Sequence, residues 1–76
     1  MDIRLAIGNR IRDLRKQKSF SQEALANKAD IDRTYMTSVE NGKRNISIIN
    51  LEKIINALNI SLADFFNDKE FGGNSK

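Results

Sequence analysis

The sequence contains no cysteine and no histidine among its 76 residues. Without cysteine, the chain has neither a disulfide framework nor a thiolate metal site. Without histidine, it lacks the commonest metal ligand and the usual general base at neutral pH. We therefore expect no metal, no cofactor and no enzymatic activity.

Long apolar segments are also missing. No stretch approaches the ~20 apolar residues that a membrane-spanning helix needs, and the N-terminal sequence MDIRLAIGNR lacks the apolar core and cleavage site of a signal peptide. We expect a cytoplasmic protein. A chain of this length forms one small domain that barely buries enough apolar surface to fold alone, so a partner subunit would help to stabilise it.

The charges that are present are distributed unevenly. The formal net charge is +3, but the chain up to Asn45 carries ten Lys and Arg against six Asp and Glu, whereas the remainder carries three against four. This asymmetry indicates an anionic partner at one end and a packing surface at the other. A soluble small domain can carry the same charge without any such partner, so charge alone does not establish that the protein binds an anionic partner.

Helical periodicity begins near the N-terminus. Apolar residues recur every three or four positions at Ile3, Ile7, Ile11 and Leu14, which predicts one buried stripe on a helix from Ile3 to Lys18. No segment shows the alternation of a β-strand, and no repeat is present. The sequence therefore predicts an all-α protein.

Four further helix starts share one pattern, in which an apolar residue precedes a Ser or Asp and a second apolar residue follows five positions after the first. This pattern is typical of an N-cap flanked by a hydrophobic staple. The cap residues are Ser21, Asp32, Ser47 and Ser61. The predicted helices run from Ser21 to Lys28, Asp32 to Asn41, Ser47 to Leu58 and Ser61 to Asn67.

Five helices joined by short connections predict one compact domain over residues 1–67, followed by a flexible tail over residues 68–76. Gly42 is expected to end the third helix with a positive φ. The predicted core consists of Ile7, Ile11, Leu14, Leu25, Ile31, Met36, Val39, Leu51, Ile54, Ile55 and Leu58.

The third predicted helix presents a polar face. At ~100° per residue, Arg33, Thr37 and Glu40 share one side of the helix, with Thr34 and Ser38 beside them. An Arg near the start of a groove-inserted helix can chelate the O6 and N7 atoms of guanine, and a Thr methyl can pack on thymine. A solvent-exposed helix face would show the same residues, so the interpretation depends on what surrounds them.

The surrounding sequence favours nucleic acid. Ser21 and Gln22 open the second helix, where backbone N–H groups and side chains can hold a phosphate. The loop Asn41–Asn45 offers two cations and two amides in five residues, which is typical of a phosphate clamp. An ordinary turn with solvated charges is the alternative.

The segments SQEALA, ADI, YMTSVENGKRN and ALNISLADFF together resemble the XRE or phage-repressor type of helix-turn-helix protein, over Ile3 to Phe66. The resemblance implies a lambda-repressor-like five-helix fold with the helix-turn-helix at the second and third helices. Within that family, DRTYMTSVENGKRN is most similar to the controller proteins of restriction–modification systems. Asp30 replaces the usual Gly of the turn, and Asp tolerates that geometry better than most residues.

The resemblance also implies residue roles. The base-facing positions are Arg33, Thr34 and Ser38, with Thr37 beside them, and the DNA-backbone positions are Ser21, Gln22, Asn41, Lys43, Arg44 and Asn45, of which Arg44 could also reach a base. Tyr35 is left open between packing, phosphate binding and an approach to the operator centre. Arg15 and Glu40 match a structural ion pair, which would remove the acidic side chain from contact with phosphates.

Specific recognition requires more than one copy of this helix, because each good base contact discriminates by only ~1–3 kcal/mol. The end of the chain carries more apolar side chains than two helices can bury internally, although all of them could pack into the core. We expect a homodimer interface of Ile46, Ile48, Ile49, Ile60, Leu62, Phe65 and Phe66. A two-fold dimer would set two recognition helices ~34 Å apart on a pseudo-palindrome.

The predicted function is that of a homodimeric transcriptional regulator of double-stranded DNA, a restriction–modification controller whose direction of control, activation or repression, stays open. Glu23 and Asp30 could present an acidic surface to RNA polymerase. The alternative is an antitoxin or another protein-interaction module that contains a helix-turn-helix. An RNA-binding role is disfavoured because Tyr35 is the single aromatic residue near the basic face, where stacking platforms need several.

Overall fold

A computed structural model describes residues 1–72 of the chain. Within that range it contains α-helices and one short 3-10 helix, and no β-strand, so the predicted all-α class is confirmed. The helices are α1 (Ile3–Gln17), α2 (Gln22–Ala29), α3 (Arg33–Glu40), α4 (Ile48–Ala57) and α5 (Leu62–Phe66), followed by the 3-10 helix Lys69–Phe71. No helix within these 72 residues is long and apolar enough to cross a membrane.

The predicted N-caps of the last four α-helices are all present. In each, the side-chain oxygen accepts a hydrogen bond from the backbone N–H three residues later, which satisfies one of the donors left free in the first helical turn. The four cap residues are Ser21, Asp32, Ser47 and Ser61. The helices begin one residue after the predicted starts, since a cap residue itself has an extended backbone.

The core has nearly the predicted composition. Nine of the eleven predicted residues are buried, whereas Ile7 and Ile31 are half-buried and pack against the core. Besides two glycines, Gly8 and Gly42, the buried residues that the prediction omits are Ala6, Ala26, Ala29, Ala57, Phe65 and Glu40. The small alanines are buried because α-helices that pack closely leave room for little more than a methyl group.

The close approach of α1 to α3 depends on Gly8. A Cβ atom at this position would lie 2.5 Å from the carbonyl oxygen of Val39 and 2.7 Å from that of Glu40, which is closer than real Cβ atoms come. Only a glycine therefore lets α1 touch the last turn of α3. This contact brings Arg15 of α1 within reach of the Glu40 side chain.

One prediction about the start of the chain is wrong. Ile3 does not belong to the buried stripe of α1, because half of its surface is exposed. Within the predicted tail, Asp68 forms an ion pair with Arg10 at 3.2 Å, and the Phe71 side chain packs against the core. Residues 73–76 of that tail lie outside the described residues.

Candidate nucleic-acid interface

A tight turn sets the angle between α2 and α3. Asp30 adopts the left-handed conformation, with φ of 57°, and the N–H of Ile31 donates a 2.8 Å hydrogen bond to the carbonyl of Ala26. Asp32 then caps α3 through the backbone N–H of Tyr35. The Ile31 side chain packs against the core from the turn itself. The helix-turn-helix geometry predicted for this segment is thus present.

The last residue of α3 is anchored by a buried ion pair. Glu40 is 1% exposed, and its two carboxylate oxygens accept hydrogen bonds of 2.7 and 3.0 Å from the Arg15 guanidinium. Arg12 adds a 2.7 Å hydrogen bond to the Glu40 carbonyl oxygen. Bidentate pairing of this kind is among the stronger charge-assisted interactions. The pair predicted between Arg15 and Glu40 is confirmed, and the acidic side chain does not face the solvent.

The side chain of Gln22, the first residue of α2, bonds two residues of α3. Its Nε2 atom donates to Glu40 at 3.0 Å, and its Oε1 atom accepts from the Thr37 hydroxyl at 3.0 Å. The hydroxyl is also 3.1 Å from the carbonyl oxygen of Arg33. The amide of Gln22, predicted to hold a phosphate, is therefore engaged within the protein.

The outward side of α3 is open to solvent. We define the recognition face as Arg33, Thr34, Thr37 and Ser38. Arg33 and Thr34 are exposed, and Thr37 and Ser38 are half-exposed. Among residues 1–72, no ion pair involves Arg33. The structure thus brings the four predicted base-facing side chains together, with one long cation at the start of the helix.

The loop after α3 presents the predicted polar groups. Asn41, Lys43, Arg44 and Asn45 are all exposed. The Arg44 guanidinium lies 4.9 Å from the centre of the Tyr35 ring, in a cation–π contact. Tyr35 is half-buried and packs against the core, so its ring serves as a platform for Arg44.

Gly42 fixes the course of this loop. It has the predicted positive φ, 72°, and a Cβ there would meet the side chain of Leu5. At the other edge of the face, the Ser21 hydroxyl is occupied as the cap of α2, while its residue remains exposed. Glu23 and Asp30 are exposed on the side of α2.

The predicted dimer surface is only partly exposed. Ile48 and Ile49 are 86% and 69% exposed, and Leu62 and Phe66 also reach the solvent, whereas Ile46 and Ile60 are half-buried. Phe65 has no exposed surface, so its assignment to an interface is wrong. It lies in the core because a helix of five residues buries only the side chain that points inward.

Two arginines of α1 have roles that the sequence did not suggest. Arg12 contacts the end of α3, and its position three residues before Arg15, on the same helix face, is a signal that could have indicated this. Arg10 donates to the carbonyl oxygens of Asp64 and Phe65 at 2.8 Å each, at the end of α5. No local pattern predicts a contact between residues so far apart in the chain.

Residues 11–65 match the sequence model of the helix-turn-helix family, which is the part of the chain from the middle of α1 to α5. The chain belongs to the helix-turn-helix family. It is 51% identical over 70 residues to control protein C.MunI from a Mycoplasma species, covering 91% of this chain and 95% of that protein. It is 42% identical over 72 residues to control protein C.BamHI from Bacillus amyloliquefaciens, covering 93% and 89%.

Solved structures of this helix-turn-helix family show the same fold. The restriction–modification controller protein C.AhdI from Aeromonas hydrophila superposes with a TM-score of 0.82 at 39% identity, over 87% of this chain and all of that one. The controller C.Esp1396I, solved as a tetramer with its natural 35 base-pair operator, gives 0.84 at 36% identity over 90% and 92%. The predicted resemblance to restriction–modification controllers is confirmed.

Proposed function

We propose that this protein is a sequence-specific transcriptional regulator that binds a pseudo-palindromic DNA operator as a homodimer, in the manner of a restriction–modification controller. The observation that carries the proposal is the recognition face, an exposed helix side that a buried ion pair holds at a fixed angle. The solved structures that superpose on this chain include a controller bound to its operator. The role requires no catalysis.

The groups around the recognition face fit this role by charge. Arg33 lies at the start of α3, and Lys43 and Arg44 lie in the loop beyond its end, all exposed. Exposed cations on both sides of a groove-inserted helix can neutralise phosphates of the two strands. We assign Arg33 to a base and Lys43 to the phosphate backbone, because base contacts come from the first turn of such a helix.

Substitution of these two cations tests the proposal. Binding-site selection from random duplex DNA with the wild-type protein would first give the operator. Arg33→Ala should then reduce the preference for this operator over unrelated duplex by about 30-fold or more, since the dimer loses two bidentate guanine contacts that each discriminate by ~1–3 kcal/mol. Lys43→Ala should weaken binding to both duplexes alike and reduce the slope of the salt dependence by roughly two released ions, one for each subunit.

These two variants are controls for each other, because each removes one exposed positive charge and neither cation forms an intramolecular ion pair within residues 1–72. Equal losses on both duplexes from Arg33→Ala would refute its assignment as a base-reading residue. Selection that returns no symmetric motif would count against the dimeric regulator as a whole.

A further inference from the structure

A chain of hydrogen bonds connects the core of the protein to the recognition face. It starts at Arg15, which binds both carboxylate oxygens of the buried Glu40. Gln22 donates to the same carboxylate at 3.0 Å and accepts from the Thr37 hydroxyl at 3.0 Å. The last member, Thr37, belongs to the recognition face. The surface end of this chain of bonds is therefore connected to a buried ion pair.

The network determines which way the amide of Gln22 points. The carboxylate of Glu40 is paired with a guanidinium and acts as an acceptor, so the amide nitrogen of Gln22 must face it. The amide oxygen consequently faces Thr37, whose hydroxyl is the group that can donate to it. Both ends of the Gln22 side chain are thereby fixed before any ligand arrives.

This orientation limits what Thr37 can offer to DNA. A hydroxyl has a single proton, and the two acceptors within reach of the Thr37 hydroxyl are Gln22 Oε1 at 3.0 Å and the Arg33 carbonyl at 3.1 Å. No proton remains for a base. Towards the major groove Thr37 presents its methyl group or an oxygen lone pair, which suit a thymine methyl or the amino groups of cytosine and adenine.

We infer that the side chain of Gln22 is a positioning residue for Thr37, and that together they restrict one position of each half-site to a thymine methyl or an amino-bearing base edge. The inference rests on the proposed DNA-binding function. It separates two roles at the start of α2. The backbone N–H groups there remain able to hold a phosphate, whereas the side-chain amide acts through Thr37.

A phosphate contact by the Gln22 amide is the competing assignment. Glu40 takes one of the two N–H donors of the amide nitrogen, so a phosphate could bind only the other one, with the side chain held as the Glu40 and Thr37 bonds leave it. Such a contact would strengthen binding to any duplex, whether or not it contains the operator. The two assignments differ in what substitution of Gln22 does to binding of unrelated DNA.

A double-mutant cycle with Gln22→Met and Thr37→Ala tests the inference. Methionine keeps most of the volume of Gln22, and alanine removes both the methyl group and the hydroxyl of Thr37. Each substitution also removes the bond between the two side chains. The affinity of wild type, both single variants and the double variant is measured on the operator selected by the wild type and on a scrambled duplex. Gln17→Met, at an exposed glutamine of α1, is the matched control. Thermal unfolding of all variants confirms that they are folded.

We expect each single variant to reduce the preference for the operator by about tenfold, as for side chains in direct contact. The preference of the double variant for the operator should fall by no more than that of either single variant. The affinity of all these variants for the scrambled duplex should equal that of the wild type. Site selection with Gln22→Met should relax one position of each half-site.

The inference would be overturned if the losses of operator preference multiplied in the double variant. It would also be overturned if Gln22→Met lowered the affinity for both duplexes equally, which would favour a phosphate contact. Either result leaves the proposed regulator intact. A wild-type protein that selects no operator would instead refute the proposed function, and the inference with it.

Discussion

Glu40 is the residue on which the geometry of the candidate interface depends. A buried carboxylate is costly unless it is paired and fully hydrogen-bonded. Here Arg15 and Gln22 supply the donors from α1 and α2, and no buried side-chain polar atom within residues 1–72 lacks a partner. One side chain therefore joins three helices, including the one that carries the recognition face.

Breaking the pair from the Arg15 side should cost much of the stability of the domain. In Arg15→Met the Glu40 charge stays buried with its main partner removed, and we expect the free energy of unfolding to fall by ~3–5 kcal/mol. Urea denaturation followed by circular dichroism measures this. Lys16→Met, at the exposed neighbouring position, should change it by less than ~0.5 kcal/mol. Similar midpoints for the two variants would show that Arg12 alone compensates Glu40.

The sequence predicted the residues of the site better than their contacts. The positions of Arg33, Thr34 and Ser38 follow from helical periodicity within one element, so their common exposure could be predicted. The bond between Gln22 and Thr37 crosses two helices and depends on the angle at which they pack. That angle follows from the turn at Asp30, which a periodicity argument cannot convert into a distance.

At the scale of elements, one three-residue pattern accounts for most of the connections. A non-glycine residue in the left-handed conformation lies within two residues of the end of α1, α2 and α4, and it is followed by an apolar residue and then by the cap of the next helix. The triplets are Ser19-Phe20-Ser21, Asp30-Ile31-Asp32 and Asn59-Ile60-Ser61. In each, the N–H of the apolar residue donates to a carbonyl five residues earlier, as in a Schellman motif.

This pattern explains why helix starts were easier to predict than helix ends. The middle residue of each triplet completes the end of one helix and precedes the cap of the next, so the connection needs no further residues. The caps have a distinctive composition. The left-handed residues do not, because Ser, Asp and Asn occur in many other conformations. Gly42 was recognised as a helix end from its residue type, and Asp30 only through the family resemblance.

Asp30 should be a site where glycine stabilises the domain. A non-glycine residue in the left-handed conformation carries a cost of ~1–2 kcal/mol, somewhat less for Asp. We expect Asp30→Gly to raise the free energy of unfolding by about 0.5–1 kcal/mol in urea denaturation. Asp13→Gly, in the exposed interior of α1, should lower it by a similar amount. A decrease in both variants would mean that the Asp30 side chain contributes more than its backbone costs.

At the scale of the whole molecule, the C-terminal segment holds α5 in place. Arg10 binds the last carbonyls of α5 and the Asp68 side chain. The Phe71 ring lies 5.0 Å from that of Phe66 and 6.0 Å from that of Phe65. One side of the Phe66 ring thus packs against neighbouring aromatic rings, while the other side remains exposed. The sequence did not predict this, because the ion pair joins residues 58 apart and the segment itself is polar and rich in Gly.

The exposed surface formed by Ile48, Ile49, Leu62 and Phe66 is where we expect two copies of the chain to meet. An apolar surface of this kind on a small protein usually marks an interface. The recognition face is too small to be specific alone, since each base contact contributes only ~1–3 kcal/mol. Operator binding should therefore depend on this surface, although none of its residues belongs to the recognition face.

Ile48→Asp tests that dependence with little risk to the fold, because the side chain is 86% exposed in one copy and exposed substitutions change stability by about 0.5 kcal/mol or less. In a dimer the new carboxylate would be desolvated without a partner. We expect sedimentation equilibrium to show a monomer and operator affinity to fall by at least about 100-fold, since one half-site contributes little alone. Ile3→Asp, at an exposed isoleucine of α1, should remain dimeric. A dimeric Ile48→Asp protein, or a monomeric Ile3→Asp protein, would place the interface elsewhere, and the spacing of the two recognition helices would then follow from a different surface.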